Sequence, residues 1–214
     1  MKLREIINEI SKSRDRMASR LPVLSLSQPG VEHIETAGIA KDLAKKADKN
    51  VHKGTRIFVT GNDGPNLDAE KYQKWLETLR VWLDRGAEIN YFLLNPSPKA
   101  IKHLVHFITG KQDWKLRVYS VKKSSHVPAA TKRLLQDWKT THFAVFENPP
   151  QFWLESRHAP EKTHAEDCYF FPREVAEKSS LPREYREQFD FVIHQCGKPL
   201  VVSWQQKKAT LKVT

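Results

Sequence analysis

Cysteine is nearly absent from this chain of 214 residues, which holds two, Cys168 and Cys196. They do not form a CxxC pair, so neither a zinc ribbon nor a disulfide framework organises the fold. Both read as reduced thiols in an α/β core. No stretch approaches the roughly 18 apolar residues of a membrane span, which excludes a transmembrane reading. The N-terminus, Met1-Lys2-Leu3-Arg4-Glu5, lacks the apolar segment of a secretory signal. A cytoplasmic location is therefore expected. Negative charge is also short, with 25 Asp and Glu against 36 Lys and Arg, a net charge of +11.

Hydrophobic residues make up 39% and charged residues 29%, a globular composition, and this length buries a core without metal or disulfides. Leu3, Ile6, Ile7 and Ile10 repeat at helical spacing, so residues 2–17 read as an amphipathic helix. Residues 21–33 read as a loop and 35–49 as a second helix. Thr55–Thr60 is a β-rich run stopped by Gly61-Asn62-Asp63-Gly64-Pro65. Tyr72, Trp75, Leu76, Leu79, Trp82 and Leu83 then mark a long helix that ends at Gly86.

A strand at Glu88–Leu94, a helix through Ile101, Leu104, Val105 and Ile108, a strand at Leu116–Val121 and a helix over 128–139 continue the alternation. Short connections between such elements predict βαβ units and a parallel sheet. After Thr141 the rhythm changes. His142–Glu147 and Gln151–Arg157 read as a hairpin around Asn148-Pro149-Pro150, followed by a strand at Asp167–Phe171 and a helix over 182–195. The expected architecture is thus α/β: a mixed sheet of parallel units followed by a hairpin, with helices on both faces. Its domain spans 51–197, residues 1–50 form a helical arm, and 198–214 form a basic tail or an edge hairpin.

Basic charge concentrates in residues 111–150, with eight Lys and Arg against three acids. Lys111, Lys115, Arg117, Lys122, Lys123, Lys132 and Arg133, with Trp114, Tyr119 and His126, form the densest basic and aromatic region. Phosphate contacts from such a region, with an aromatic ring for stacking, suit DNA or RNA without sequence preference. A solvated charged face is the competing reading.

A second group clusters at the hairpin. Trp153, Glu155 and Arg157 share one strand face, and His158 follows at the strand end. His142, Glu155 and His158 could do acid–base work on a phosphodiester, or form a salt-bridge ladder beside a half-buried Trp. His158, His164, Asp167 and Cys168 match no strong zinc spacing, so no metal is expected. The Gly61–Asn66 loop lacks the glycine pattern of a phosphate cradle, and Pro65 removes a donor; a plain turn is favoured. No motif asks for a cofactor.

The order of elements resembles phospholipase D-like domains. Arg56–Thr60, the long helix and Leu83-Asp84-Arg85-Gly86-Ala87-Glu88-Ile89 are similar to that family's step from helix through a basic residue and Gly into a strand. His142-Phe143-Ala144-Val145-Phe146 takes the place of the family's histidine strand, Phe152-Trp153-Leu154-Glu155 its hairpin partner, and Glu187–Phe191 its closing helix. The likeness covers about residues 50–196 and implies a phosphate-binding fold. The family's His-x-Lys-x4-Asp motif is missing: Ala144 stands two residues after His142 and Pro149 at the Asp position, and none of the other eight histidines is followed by Lys or Arg two residues on. In the family that His attacks phosphorus and the Lys holds phosphate oxygens.

The resemblance therefore implies a degenerate member without family-type cleavage. Three functions stay open: a non-catalytic nucleic-acid-binding accessory protein, a protein-interaction or regulatory subunit or homodimer using residues 1–50, and a phosphodiesterase or nuclease of altered chemistry.

Overall fold

A computed structural model describes residues 28–34, 46, 47, 49–61, 69–94, 96–111, 113–121, 127–156, 167–205 and 208–213. The helix expected over 2–17, with its stripe of Leu3, Ile6, Ile7 and Ile10, lies outside the described residues.

The architecture is a mixed α/β sheet covered by helices on both faces. Its strands are β1 (Glu32–Ile34), β2 (Arg56–Gly61), β3 (Glu88–Leu93), β4 (Lys115–Val121), β5 (Thr141–Glu147), β6 (Gln151–Ser156), β7 (Asp167–Phe171), β8 (Gly197–Gln205) and β9 (Lys208–Val213). The helices are α1 (Ala69–Asp84), α2 (Pro98–Ile108), α3 (Ala129–Asp137), α4 (Arg173–Ala176) and α5 (Leu181–Cys196). Across the sheet the strands run β1-β7-β6-β5-β2-β3-β4-β8-β9. The pairs β2–β3 and β3–β4 are parallel and every other neighbouring pair is antiparallel.

Alternation along each strand sorts the core into two layers. Ile57, Val59, Ile89, Tyr91, Leu93, Val118, Ala144, Phe146 and Trp153 face α1 and α2. Phe58, Phe92, Phe143, Val145, Phe152 and Leu154 face α3, α4 and α5. Helix α1 contributes Tyr72, Leu76, Leu79, Trp82 and Leu83 to the first layer, all buried. Full burial of each such Leu stabilises the fold by about 1.5–3 kcal/mol.

One segment reads differently from the sequence. Glu32–Ile34, inside the stretch read as a loop, forms β1 by pairing with β7. Of the two readings of the end of the chain, the edge hairpin is the one formed, as β8–β9, with β8 docked on β4. Of the strand expected over Gln151–Arg157, Gln151–Ser156 forms β6, and Arg157 lies outside the described residues. Of the helix expected over 35–49, Lys46 and Ala47 are described and helical.

Ala47 and Val51 are buried in the first layer, and Val31 packs on the second. Lys46 is ion-paired with Glu32. The described residues before β2 thus cover this chain's own domain.

Candidate nucleic-acid interface

Each of the three parallel strands is entered through a glycine of positive φ beside a basic residue. Lys53-Gly54 (φ 90) precedes β2, Arg85-Gly86 (φ 85) precedes β3, and Gly110-Lys111 (φ 79) precedes β4. At Gly86 the geometry is that of a Schellman cap. Gly86 N–H donates to Leu83 C=O at 2.9 Å and Ala87 N–H to Trp82 C=O at 3.1 Å, which satisfies the last carbonyls of α1 through a left-handed residue. A Cβ added there would lie 3.3 Å from Lys53 Cγ. Gly54 N–H donates to Gly86 C=O at 3.2 Å, and Glu88 N–H to Thr55 C=O at 2.8 Å. The entries to β2 and β3 are therefore bonded to each other.

This topology gathers cations at the N-terminal ends of the parallel strands. Lys53, Arg56, Arg80, Arg85, Lys111, Lys115 and Arg117 are all exposed there. Register sets Glu147, Arg56, Glu88 and Lys115 side by side across β5, β2, β3 and β4. Opposite charges alternate along that row. Arg56 Nη2 is 2.6 Å from Glu147 Oε2, and Lys115 Nζ is 2.5 Å from Glu88 Oε1. The hydrogen bond from Lys115, with the charges of Arg117 and Arg56, holds the Glu88 carboxyl below its usual range. Arg186 on α5 reaches the same row at Glu147, 3.3 Å away. Burial pushes its guanidinium down, and the Glu147 carboxylate pushes it back.

On the opposite face Trp114 Nε1–H donates to Asp84 Oδ1 at 2.9 Å. Lys111 Nζ sits 5.0 Å from the Trp114 ring centre and 3.7 Å from Asp84. Phe107 packs against the same ring at 5.0 Å. Among the residues before Gly197 whose side-chain exposure is described, no Phe, Tyr or Trp is exposed; the exposed large hydrophobic side chain is Val81, at 42%.

The seven basic residues grouped by sequence thus separate in space. Lys111, Lys115 and Arg117 lie at the basic end. Lys132 and Arg133, both exposed, sit on α3, which follows the other end of β4. Lys122, Lys123 and His126 are outside the described residues. Lys53, Arg56, Arg80 and Arg85 join Lys111, Lys115 and Arg117 from outside the densest basic region of the sequence, where the recurrence of a basic residue beside a glycine before each strand is the visible signal.

The hairpin residues lie toward the opposite end of the sheet. His142 stands directly opposite Glu155, and Glu155 opposite Cys168, in consecutive antiparallel pairs. His142 is 5% exposed and Glu155 half-buried. His158 and His164 lie outside the described residues. Among the described residues no three His, Cys, Asp or Glu side chains could hold a metal ion.

Gly61 packs tightly, since a Cβ there would lie 2.5 Å from Tyr91 Oη; residues 62–66 of its loop are outside the described set. No helix among the described residues is long and apolar enough to cross a membrane.

No family model and no curated protein matches the chain. Among solved structures, it is similar to the archaeal chromatin protein TrmBL2, described as showing a novel mode of DNA binding, with 13% identity and a TM-score of 0.39 over 87% of this chain. It is also similar to polyphosphate kinase from Porphyromonas gingivalis, with 10% identity and a TM-score of 0.40 over 88% of this chain. The chain spans 64% of the length of the first and 27% of the second.

Proposed function

We propose that this chain binds nucleic acid as a polyanion and does not turn it over, on a phospholipase D-like layout that has lost the family's catalytic motif. The observation that carries the reading is the crowding of seven exposed cations at the N-terminal ends of β2, β3 and β4. The acids among them are Asp84, Glu88, Asp113 and Glu147, so positive charge remains in excess. Lys and Arg on fixed backbone neutralise phosphates and release counterions, which yields affinity without base specificity. The absence of Lys or Arg two residues after any of the nine histidines supports the non-catalytic half of the reading.

The direct opposition of His142 and Glu155 favours a second reading. A carboxylate beside an imidazole orients it and raises its basicity, and such a pair suits a phosphodiesterase. One experiment separates the two. Labelled DNA and RNA are titrated with the protein across a salt series, and the strands are then run on a gel. Binding that weakens steeply with salt and leaves strands intact supports the binding module. Cleavage that His142→Ala abolishes, with the fold retained, replaces it with the enzyme. No binding at low salt removes the proposal.

A further inference from the structure

A cleft of about 500 Å³ opens between the β5–β6 turn, the end of α4 and the start of α5. That volume falls within the roughly 300–1,000 Å³ of small-ligand sites. Val145, Pro150, Ala176 and Pro182 give the cleft apolar borders.

Five charged residues also line it: Glu147, Glu177, Lys178, Arg183 and Arg186. Both acids are engaged. Glu147 pairs with Arg56 and Arg186, and Glu177 Oε1 lies 2.8 Å from Arg173 Nε. Arg186 is held in turn by Glu147 and Asp190. Lys178 and Arg183 are exposed, and neither is ion-paired among the described residues. Two positive charges thus border an apolar hollow whose own carboxylates are spent on other cations. Ser179 and Ser180 line the same hollow. Ser179 Oγ accepts the Leu181 N–H at 3.3 Å, which leaves its O–H to donate.

Two uncompensated cations call for a dianion. A phosphate monoester is one at neutral pH, since its second pKa is about 6. Bare phosphate would use the cations and hydroxyls but leave the apolar borders to water. Independently of nucleic-acid binding, we infer that this cleft is a small-ligand site for a phosphate monoester with a compact apolar body. Lys178 and Arg183 hold the phosphate oxygens through charge-assisted hydrogen bonds. The body of the ligand covers Pro150, Ala176 and Pro182.

The test titrates the full chain with phenyl phosphate, inorganic phosphate and benzenesulfonate, following amide chemical shifts at pH 7.5. Phenyl phosphate should bind about tenfold more tightly than inorganic phosphate, which lacks the ring. It should also bind at least about threefold more tightly than benzenesulfonate, which has the ring and one charge fewer. The shifts should cluster within residues 176–186, and binding should weaken as pH falls through about 6, where the ester becomes a monoanion.

Lys178→Gln/Arg183→Gln should lose about tenfold or more in phenyl phosphate affinity, and Lys132→Gln/Arg133→Gln on α3 should lose none. Should the first variant fail to fold by circular dichroism, the ligand series and the location of the shifts in the full chain decide alone. The inference is overturned if phenyl phosphate does not bind, if the three probes bind equally, or if the shifts fall outside the cleft. A folded Lys178→Gln/Arg183→Gln variant that binds like the parent overturns it as well.

Discussion

The guanidinium carbon of Arg186 lies 3.6 Å from the centre of the Phe58 ring. The same side chain is 19% exposed and ion-paired with both Glu147 and Asp190. Helix α5 is thus fastened to the face of β2 by a planar cation that stacks and pairs at once. Arg186→Lys keeps the charge but not the planar fork or the stack. Arg186→Ala is expected to cost about 2–3 kcal/mol in urea unfolding, from the desolvated ring contact and the lost pairing, and Arg186→Lys more than half of that. Equal stability of Arg186→Lys and the parent would show that charge alone holds α5.

Glu88 carries a carboxyl held below its usual value of 4.5, chiefly by its hydrogen bond from Lys115. A depressed folded value means that this share of stability is complete above pH 4.5 and is lost as pH falls through the lower folded value. Glu88→Gln should therefore flatten the acid limb of a melting-temperature profile below that pH. At neutral pH the same variant removes a negative charge from between Arg56 and Lys115, and nucleic-acid affinity should rise by about two- to fivefold, the scale of one exposed charge pair. Unchanged or weaker binding would place the contact surface elsewhere.

Gly61 leaves no room for a side chain under Tyr91, whose Oη, Cε2 and Cζ would stand 2.5, 2.9 and 3.1 Å from an added Cβ. Gly61→Ala is expected to destabilise the fold by about 1–3 kcal/mol through overpacking. Tyr91→Phe removes the nearest atom, so the double variant should be less destabilised than the sum of the two singles. Strict additivity in a denaturation cycle would contradict the contact.

Both thiols should resist labelling in the native state. Cys168 is buried, and burial pushes the Cys196 thiol up to about 11. At pH 8 that leaves roughly one thiolate in a thousand at Cys196. A thiol reagent should react slowly with folded protein and with both cysteines after unfolding. Rapid native labelling of Cys196 would mean that its end of α5 opens.

The long periodic elements were legible because one residue type per position sufficed. Tyr72, Leu76, Leu79 and Trp82 announced α1, and all four are buried. β1 was not legible, since three residues, Glu32-His33-Ile34, have no pattern of their own and become a strand by pairing with β7.

The basic end was half legible. Lys111, Lys115 and Arg117 are dense along the chain, but Lys53 and Arg85 are diluted in it. They join the others because a βαβ path returns to the same end of the sheet before each parallel strand. The opposition of His142 and Glu155 needed the register of the turn at Asn148-Pro149-Pro150, which side-chain types do not encode. The missing Lys two residues after His142 needed no structure at all.

The hydrogen bond from Gly54 to Gly86 has a calorimetric consequence. Lys53 and Arg85 hang on backbone already bonded in place, so a polyanion that docks there orders side chains and not loops. Preorganised association of this kind is driven by the entropy of ion release and buries little apolar surface. Its heat should be small and nearly independent of temperature, in contrast to a segment that folds as it binds.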